Sequence, residues 1–330
     1  MTIFGESAGG ESVYCQLESP LAAGLFHRAI AESGSYASIA DYSPWIIPLA
    51  LGETEGSVFV PAGTTFASDV GCGSQTATCL RGVAASSFVN FQPFPMYPFI
   101  DGALLTESLG TAFSTGRFNR VPVIAGTNHD EYRLFVALDF DLNPAVGPLT
   151  NAEYQSAVDE IWGTVFGPLV LVTYPLPASP PADAASIALG ASVTDGVFSC
   201  PARKADGELA KYVKTYAYEF NDENAPLFKL FPPLSFPLGA SHFAEVQYLL
   251  TYLGAPAPFT SDQQELSATM ISYWTHFAKN GDPNSDNTPT RLPYSEKTDQ
   301  FQSFVPPAPT VESDFAADHM CNVGMRWDFF

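Results

Sequence analysis

The stretch Thr2-Ile3-Phe4-Gly5-Glu6-Ser7-Ala8-Gly9 decides how the rest of the chain is interpreted. Its G-x-S-x-G pattern follows a strand-like T-I-F and opens a run of small and apolar residues, Ala8 to Gln16, that is typical of a helix. In this order of strand, turn and helix, the pattern places a serine hydroxyl at a sharp, accessible turn. The sequence therefore predicts a nucleophilic Ser7 between a strand and a helix.

The residues around Ser7 fit such a turn. A side chain at Gly5 or Gly9 is expected to collide with the neighbouring strand and helix, so both positions call for glycine. The backbone N–H of Ala8 is predicted to face the oxyanion that forms when a carbonyl is attacked, with help from the helix dipole. The alternative is a glycine-rich turn at a helix start that carries no chemistry.

Strand-like and helix-like segments alternate along the rest of the chain. Strands are predicted over His27–Glu32, Val121–Ala125 and Tyr212–Phe220, and helices over Asn151–Trp162 and Asp262–Lys279. The last helix carries an apolar stripe that predicts a buried face: Leu266, Met270, Ile271, Trp274 and Phe277. Alternation of this kind indicates an α/β fold with a largely parallel central sheet flanked by helices.

A serine nucleophile needs a neighbouring base, and the base needs a carboxylate that orients it. In α/β-hydrolases these residues follow one another as Ser, Asp or Glu, and His. Of the five histidines, His242 best fits a late loop after a strand. The others lie before a buried strand, after a strand, inside the long helix and near the C-terminal end: His27, His129, His276 and His319.

The carboxylate is expected directly after a strand between Ser7 and His242. Asp130 and Glu131 both follow the strand-like V-P-V-I-A and the short G-T-N. Their positions alone leave the choice between them open.

Several stretches in the right order resemble the type-B carboxylesterase/lipase family, which includes the cholinesterases. They are F-G-E-S-A-G-G at 4–10, L-F-H-R-A-I-A-E-S-G-S at 25–35, P-F-I-D-G at 98–102, A-G-T-N-H-D-E at 125–131 and G-A-S-H-F-A-E-V-Q-Y-L-L at 239–250. The resemblance runs the length of the chain and implies an α/β-hydrolase fold. It implies Glu131 as the acid, with Asp130 as a neighbour that holds the loop, and His242 as the base. Tyr132 departs from the glycine that commonly follows the family's acid.

The resemblance also implies what lies around the triad. Residues 1–330 are expected to form a single, incomplete α/β-hydrolase domain that begins at the nucleophile elbow. The sequence contains no H-G-G-G-type loop, which supplies further oxyanion donors in this fold, so the chain alone is expected to be inactive. Phe94 and Met96 are expected to line the acyl pocket, with ordinary core packing as the alternative.

The five cysteines give information on the cellular compartment in which the protein works. By resemblance, disulfides are expected between Cys72 and Cys79 and between Cys200 and Cys321, which leaves Cys15 as a buried thiol. Two disulfides imply an oxidising environment, and hence a secreted or extracellular protein. Five reduced thiols in a cytosolic enzyme are the alternative.

The composition of the chain limits the classes of molecule that it is expected to bind. The formal charge of −21, from 14 basic and 35 acidic residues, disfavours nucleic acid and anionic membrane surfaces. No nicotinamide fingerprint, P-loop or metal-ligand pattern occurs, so no cofactor is inferred and the expected partner is a small ester. Two alternatives share the fold: a catalytically silent adhesion or interaction protein, which retention of all three triad residues disfavours, and a peptidase or thioesterase.

Overall fold

The structure is a computed structural model that describes residues 1–34, 59–89, 98, 100–226, 231–251, 258–286 and 288–322. In this part of the chain six strands form one sheet in the order of the sequence. They are β1 (Thr2–Glu6), β2 (Arg28–Glu32), β3 (Val123–Asn128), β4 (Thr215–Phe220), β5 (Phe301–Phe304) and β6 (Thr310–Glu312). Strands β1 to β5 pair in parallel, and β6 pairs antiparallel with β5. The predicted α/β-hydrolase fold with a mostly parallel sheet is confirmed.

Helices connect and cover the strands. They are α1 (Ala8–Glu18), α2 (Phe59–Asp69), α3 (Ala77–Gly82), α4 (Ala85–Val89), α5 (Leu109–Thr115), α6 (Arg133–Val136), α7 (Tyr154–Thr173), α8 (Ala184–Val193), α9 (Cys200–Ala210), α10 (Val246–Leu249), α11 (Ser261–Asn280) and α12 (Phe315–Asp318). No described helix combines the length and the apolar character that crossing a membrane requires.

The central strands are buried on both faces. Every residue of β3 and β4 is buried, including the polar ones that alternate with aromatic residues in β4. This is the pattern of a parallel sheet with helices on each side. The strands predicted at His27, Val121 and Tyr212 exist but begin one to three residues later, while β5 and β6 were not predicted.

Different helices pack on the two faces of the sheet. Helices α1, α5 and α9 contribute to one apolar cluster with β2 and β3, and α11 packs on the opposite face with β4. Of the predicted stripe on α11, Leu266, Met270, Trp274 and Phe277 are buried, whereas Ile271 is 41% exposed. The inclusion of Ile271 was wrong because it lies one residue past Met270, which turns it away from the sheet.

Both expected disulfides are present. The Cα atoms of Cys72 and Cys79 lie 5.7 Å apart and those of Cys200 and Cys321 lie 5.4 Å apart, each pair with bonded sulfurs. Cys15 is buried in α1 without a disulfide partner, as expected. The second bridge joins the start of α9 to the segment after α12, so it fixes the end of the described chain against the helical layer.

Candidate active site

Ser7 lies at the turn between β1 and α1. Its backbone has φ 58° and ψ −126°, a left-handed region in which a non-glycine residue is strained by about 1–3 kcal/mol. The turn is held from both sides, because Ser7 N donates to the Glu32 carbonyl at 2.9 Å and Glu11 N donates to the Ser7 carbonyl at 3.0 Å. Strained backbone that is held so firmly is typical of functional turns.

The glycines at this turn differ in whether the surrounding backbone leaves room for a side chain. A Cβ at Gly5 would lie 2.5 Å from the Gly9 backbone, so a side chain is excluded there as expected. A Cβ at Gly9 would meet nothing within 4 Å, so the expectation of a clash at Gly9 was wrong. The close approach is made one residue later, where a Cβ at Gly10 would lie 2.6 Å from the Glu32 carbonyl oxygen.

Glu131 and His242 meet at the carboxyl end of β3. Oε2 of Glu131 lies 2.6 Å from Nδ1 of His242, and the His242 backbone N–H donates to the Glu131 carbonyl at 3.1 Å. The other carboxylate oxygen of Glu131 accepts from the Thr127 hydroxyl and the Asn128 backbone N–H, each at 2.8 Å. Glu131 is 0% exposed and His242 is 4% exposed, so the pair is fixed in a single arrangement.

Two aromatic rings and the Glu131 carboxylate determine the environment and the pKa of His242. The rings of Phe135 and Phe198 lie with centroids 5.1 and 5.3 Å from the imidazole. Burial lowers the pKa of His242, but the charge and hydrogen bond of Glu131 outweigh it, and the pKa rises to about 9. Its ordinary value is 6.5. Protonated His242 therefore stabilises the folded chain below about pH 6.5, and this contribution is lost as pH rises through about 9.

Two further carboxyl groups, those of Glu6 and Glu245, lie near His242, and the Glu32 carboxyl group lies near both of them. Sequence reasoning missed all three. Oε1 of Glu6 lies 3.2 Å from Nε2 of His242, although no atom of the described residues forms a hydrogen bond with that nitrogen. Burial raises the pKa of Glu6 and of Glu32 to about 8 and that of Glu245 to about 7. The signals were present, because Glu6 sits inside the G-x-S-x-G pattern and Glu245 follows His242 by three residues.

Glu32 and Glu245 are each held by a hydrogen bond from a neighbour. Trp274 Nε1–H donates to Glu32, and the Asn128 side-chain amide donates to Glu245 and to the Ser241 carbonyl. Asn128 is the last residue of β3, so it links the strand that leads to Glu131 with the loop that carries His242.

Asp130 holds the same two loops together. Its Oδ2 accepts the Ala240 backbone N–H at 2.9 Å, and its Oδ1 lies 2.9 Å from Arg133 and 3.1 Å from His129. Burial raises the pKa of Asp130, but the His129 hydrogen bond and the Arg133 charge more than offset this, so the pKa lies below its ordinary value. The position of Tyr132 shows no need for glycine, since its φ is −77° and its N–H donates to Thr194 Oγ1 at 3.0 Å.

The remaining predicted residues are placed as follows. Ala8 is the exposed first residue of α1, next to Ser7. Phe94 and Met96 lie outside the described residues. His27 contacts the N-terminal amine and His276 contacts the Asn284 carbonyl, both away from Glu131. His129 and His319 belong to a separate group with Glu219.

Comparison with known proteins relates the chain to carboxylesterases. The profile of the carboxylesterase family matches residues 1–319. An acylcarnitine hydrolase of Rattus norvegicus is 30% identical over 302 residues, covering 88% of this chain and 51% of the relative. A cocaine esterase of Homo sapiens is 26% identical over 310 residues, covering 91% of this chain and 53% of the relative. The chain thus spans about half the length of the curated relatives it matches.

Proposed function

Because the chain belongs to the carboxylesterase family, we propose that it is a carboxylic ester hydrolase that works through an acyl intermediate on Ser7. The observation that carries the proposal is the 2.6 Å contact between Glu131 and His242, made at the carboxyl ends of the strands where Ser7 also lies. In open α/β sheets ligands bind at this edge. We propose that the described elements belong to one hydrolase domain.

In the proposed reaction the Ser7 hydroxyl oxygen attacks the ester carbonyl carbon while Nε2 of His242 takes the hydroxyl proton. The carbonyl oxygen becomes an oxyanion that accepts a hydrogen bond from the Ala8 backbone N–H. When the ester C–O bond breaks, the imidazolium returns its proton to the departing alcohol. Water then attacks the acyl-Ser7 ester by the same route and releases the carboxylic acid.

The role of Glu131 in this scheme is to orient His242 and to stabilise the imidazolium. Its contact with Nδ1 leaves Nε2 as the nitrogen that exchanges protons with Ser7. The two hydrogen bonds from Thr127 and Asn128 hold the carboxylate in place for this task. Such an arrangement needs no metal ion or organic cofactor.

The proposed substrates are small carboxylic esters. The two relatives named above act, by their names, on acylcarnitines and on cocaine, and the carboxylic ester is the chemistry they have in common. We propose that the protein works in an oxidising compartment, as a secreted or extracellular enzyme, because both disulfides persist most readily there.

Trapping the acyl intermediate tests the proposal. The chain is mixed with p-nitrophenyl butyrate, quenched in acid and digested, and the butyryl mass is located by mass spectrometry. We expect it on Ser7, absent from Ser7→Ala and present in the control Ser12→Ala, whose hydroxyl donates to the Ala8 carbonyl within α1. A chain that acquires no butyryl group would instead support the catalytically silent alternative.

A further inference from the structure

Two histidines and a glutamate form a second group of potential metal ligands, which we call the histidine–glutamate cluster: His129, Glu219 and His319. Each offers one ligand atom, and these atoms lie within 4.8 Å of one another. His129 follows β3, Glu219 belongs to β4, and His319 follows α12 directly. None of them takes part in the proposed ester hydrolysis.

Carboxylates orient both imidazoles of the cluster. Nδ1 of His319 lies 2.7 Å from Asp195, and Nδ1 of His129 lies 3.1 Å from Asp130. Asp195 is itself fixed by the Tyr174 hydroxyl at 2.6 Å. Histidines that bind metal ions almost always have one ring nitrogen held in this way, which leaves the other for the metal.

The remaining nitrogen of His319 already faces an acid. Nε2 of His319 contacts Oε1 of Glu219, and the rings of His129 and His319 lie with centroids 5.3 Å apart. Glu219 and His319 are buried, whereas the His129 side chain is 35% exposed, so His129 borders a path to solvent. The cluster is thus open on one side and enclosed on the other.

Several carboxyl groups lie around the cluster. Asn221 Nδ2–H donates to Glu219 at 2.9 Å and to Glu312 at 3.1 Å, which brings a second carboxyl group beside Glu219. Oε1 of Glu312 is buried with no hydrogen-bonding partner in the described part of the chain. With Asp130 and Asp195 the surroundings hold four carboxyl groups, and Arg133 pairs with Asp130.

We propose that the histidine–glutamate cluster binds one zinc ion through both imidazoles and the Glu219 carboxylate. Two imidazoles and one carboxylate are a usual ligand set for Zn²⁺, with a fourth position left for water. Tetrahedral zinc ligands lie about 3.3 Å apart. The ligand atoms of the cluster lie within 4.8 Å of one another, so the cluster reaches this geometry by contracting by at most about 1.5 Å. The ion replaces the proton between His319 and Glu219, and that proton leaves to water.

A bound ion would join three parts of the chain that are distant in sequence. It would link the loop after β3, the strand β4 and the segment beside α12, which the Cys200–Cys321 disulfide also anchors. The role expected for the site is therefore structural. The loop it fixes carries Asp130 and Glu131, so the ion would also stiffen the support of the proposed active site.

Zinc alone is the probe that tests the site. The chain is stripped with a chelator, dialysed and titrated with ZnCl₂ in a calorimeter, with His129→Gln as the test variant. His27→Gln is the matched control, since His27 is exposed and lies elsewhere. We expect one equivalent of zinc, bound at least about 10-fold more weakly by His129→Gln and unchanged in the control, because even supporting groups contribute 10–100-fold.

X-ray absorption of the zinc-loaded chain identifies the ligands. The expected spectrum has nitrogen and oxygen ligands at about 2.0–2.1 Å and the signature of two imidazoles, whereas a sulfur ligand at about 2.3 Å would place the metal on cysteine. The proposal is overturned by a chain that takes up no zinc, by a sulfur ligand, or by equal affinity in His129→Gln. His319 would then be an internal ion pair with Asp195 and Glu219.

Discussion

Oε1 of Glu6 lies 3.2 Å from Nε2 of His242, on the side of the imidazole opposite Glu131. The residue that precedes the proposed nucleophile therefore faces the nitrogen that would exchange its proton. Both ring nitrogens thus face carboxyl groups, and the charge of Glu6 contributes to the raised pKa of His242. The acidity of the proposed base is set from two sides.

Glu6→Gln is expected to shift the pH dependence of Ser7 acylation. Glu6 raises the pKa of His242, so its removal lowers that pKa and leaves the neutral imidazole at lower pH. The acidic limb of the acylation rate should move to lower pH, while Glu265→Gln, an exposed acid on α11, leaves it in place. The measurement is the rate between pH 6 and 10; a limb that stays or moves upward would count against the assignment.

Glu131→Gln is expected to slow acylation by about 10³–10⁴-fold, because the amide neither stabilises the imidazolium nor holds its tautomer. Asp130→Asn is the comparison, since Asp130 supports the loop through Ala240 and Arg133. It should lower the free energy of unfolding by about 1–3 kcal/mol and alter the rate far less. Rates and urea unfolding of both variants separate the roles, and equal rate losses would contradict them.

The fold class and the strand, turn and helix around Ser7 could be predicted from local patterns, whereas the choice of Glu131 over Asp130 as the partner of His242 needed the family resemblance. The place of the Glu32 carboxyl group could not be predicted, since Glu32 reaches Glu6 only through the pairing of β1 with β2. The His319 contacts with Asp195 and Glu219 join residues 124 and 100 positions apart, and no local pattern specifies them. Strands β5 and β6 are too short for a clear periodicity.

The two disulfides are expected to differ in their contribution to stability. The Cys200–Cys321 bridge spans 121 residues and the Cys72–Cys79 bridge spans 7. Chain entropy then gives about 5 kcal/mol for the first and about 2 kcal/mol for the second. Urea unfolding of the two paired Cys→Ser variants measures the difference, and an equal or reversed order would show that chain entropy does not dominate.

Steady turnover by the chain alone is expected to be slow. Ala8 is the one proposed oxyanion donor at the elbow, and the 330 residues contain no H-G-G-G-type loop to supply others. Loss of a single donor typically costs about 10²–10³ in rate. The assay compares p-nitrophenyl ester hydrolysis by the chain and by Ser7→Ala. Rapid turnover that disappears in the variant would show that other groups supply the missing donors.

The central claim is that His242 activates Ser7. Irreversible labelling of the serine, which needs only one reaction per molecule, tests this claim most directly. A fluorophosphonate bonds irreversibly to an activated serine, so labelled protein accumulates even when turnover is slow. The rate of Ser7 labelling is measured by mass spectrometry for the unmodified chain, for His242→Gln and for the control His276→Gln. We predict a loss of about 10²–10⁴-fold in His242→Gln and none in the control. Equal labelling of Ser7 in all three proteins, or labelling of another residue, would contradict the account.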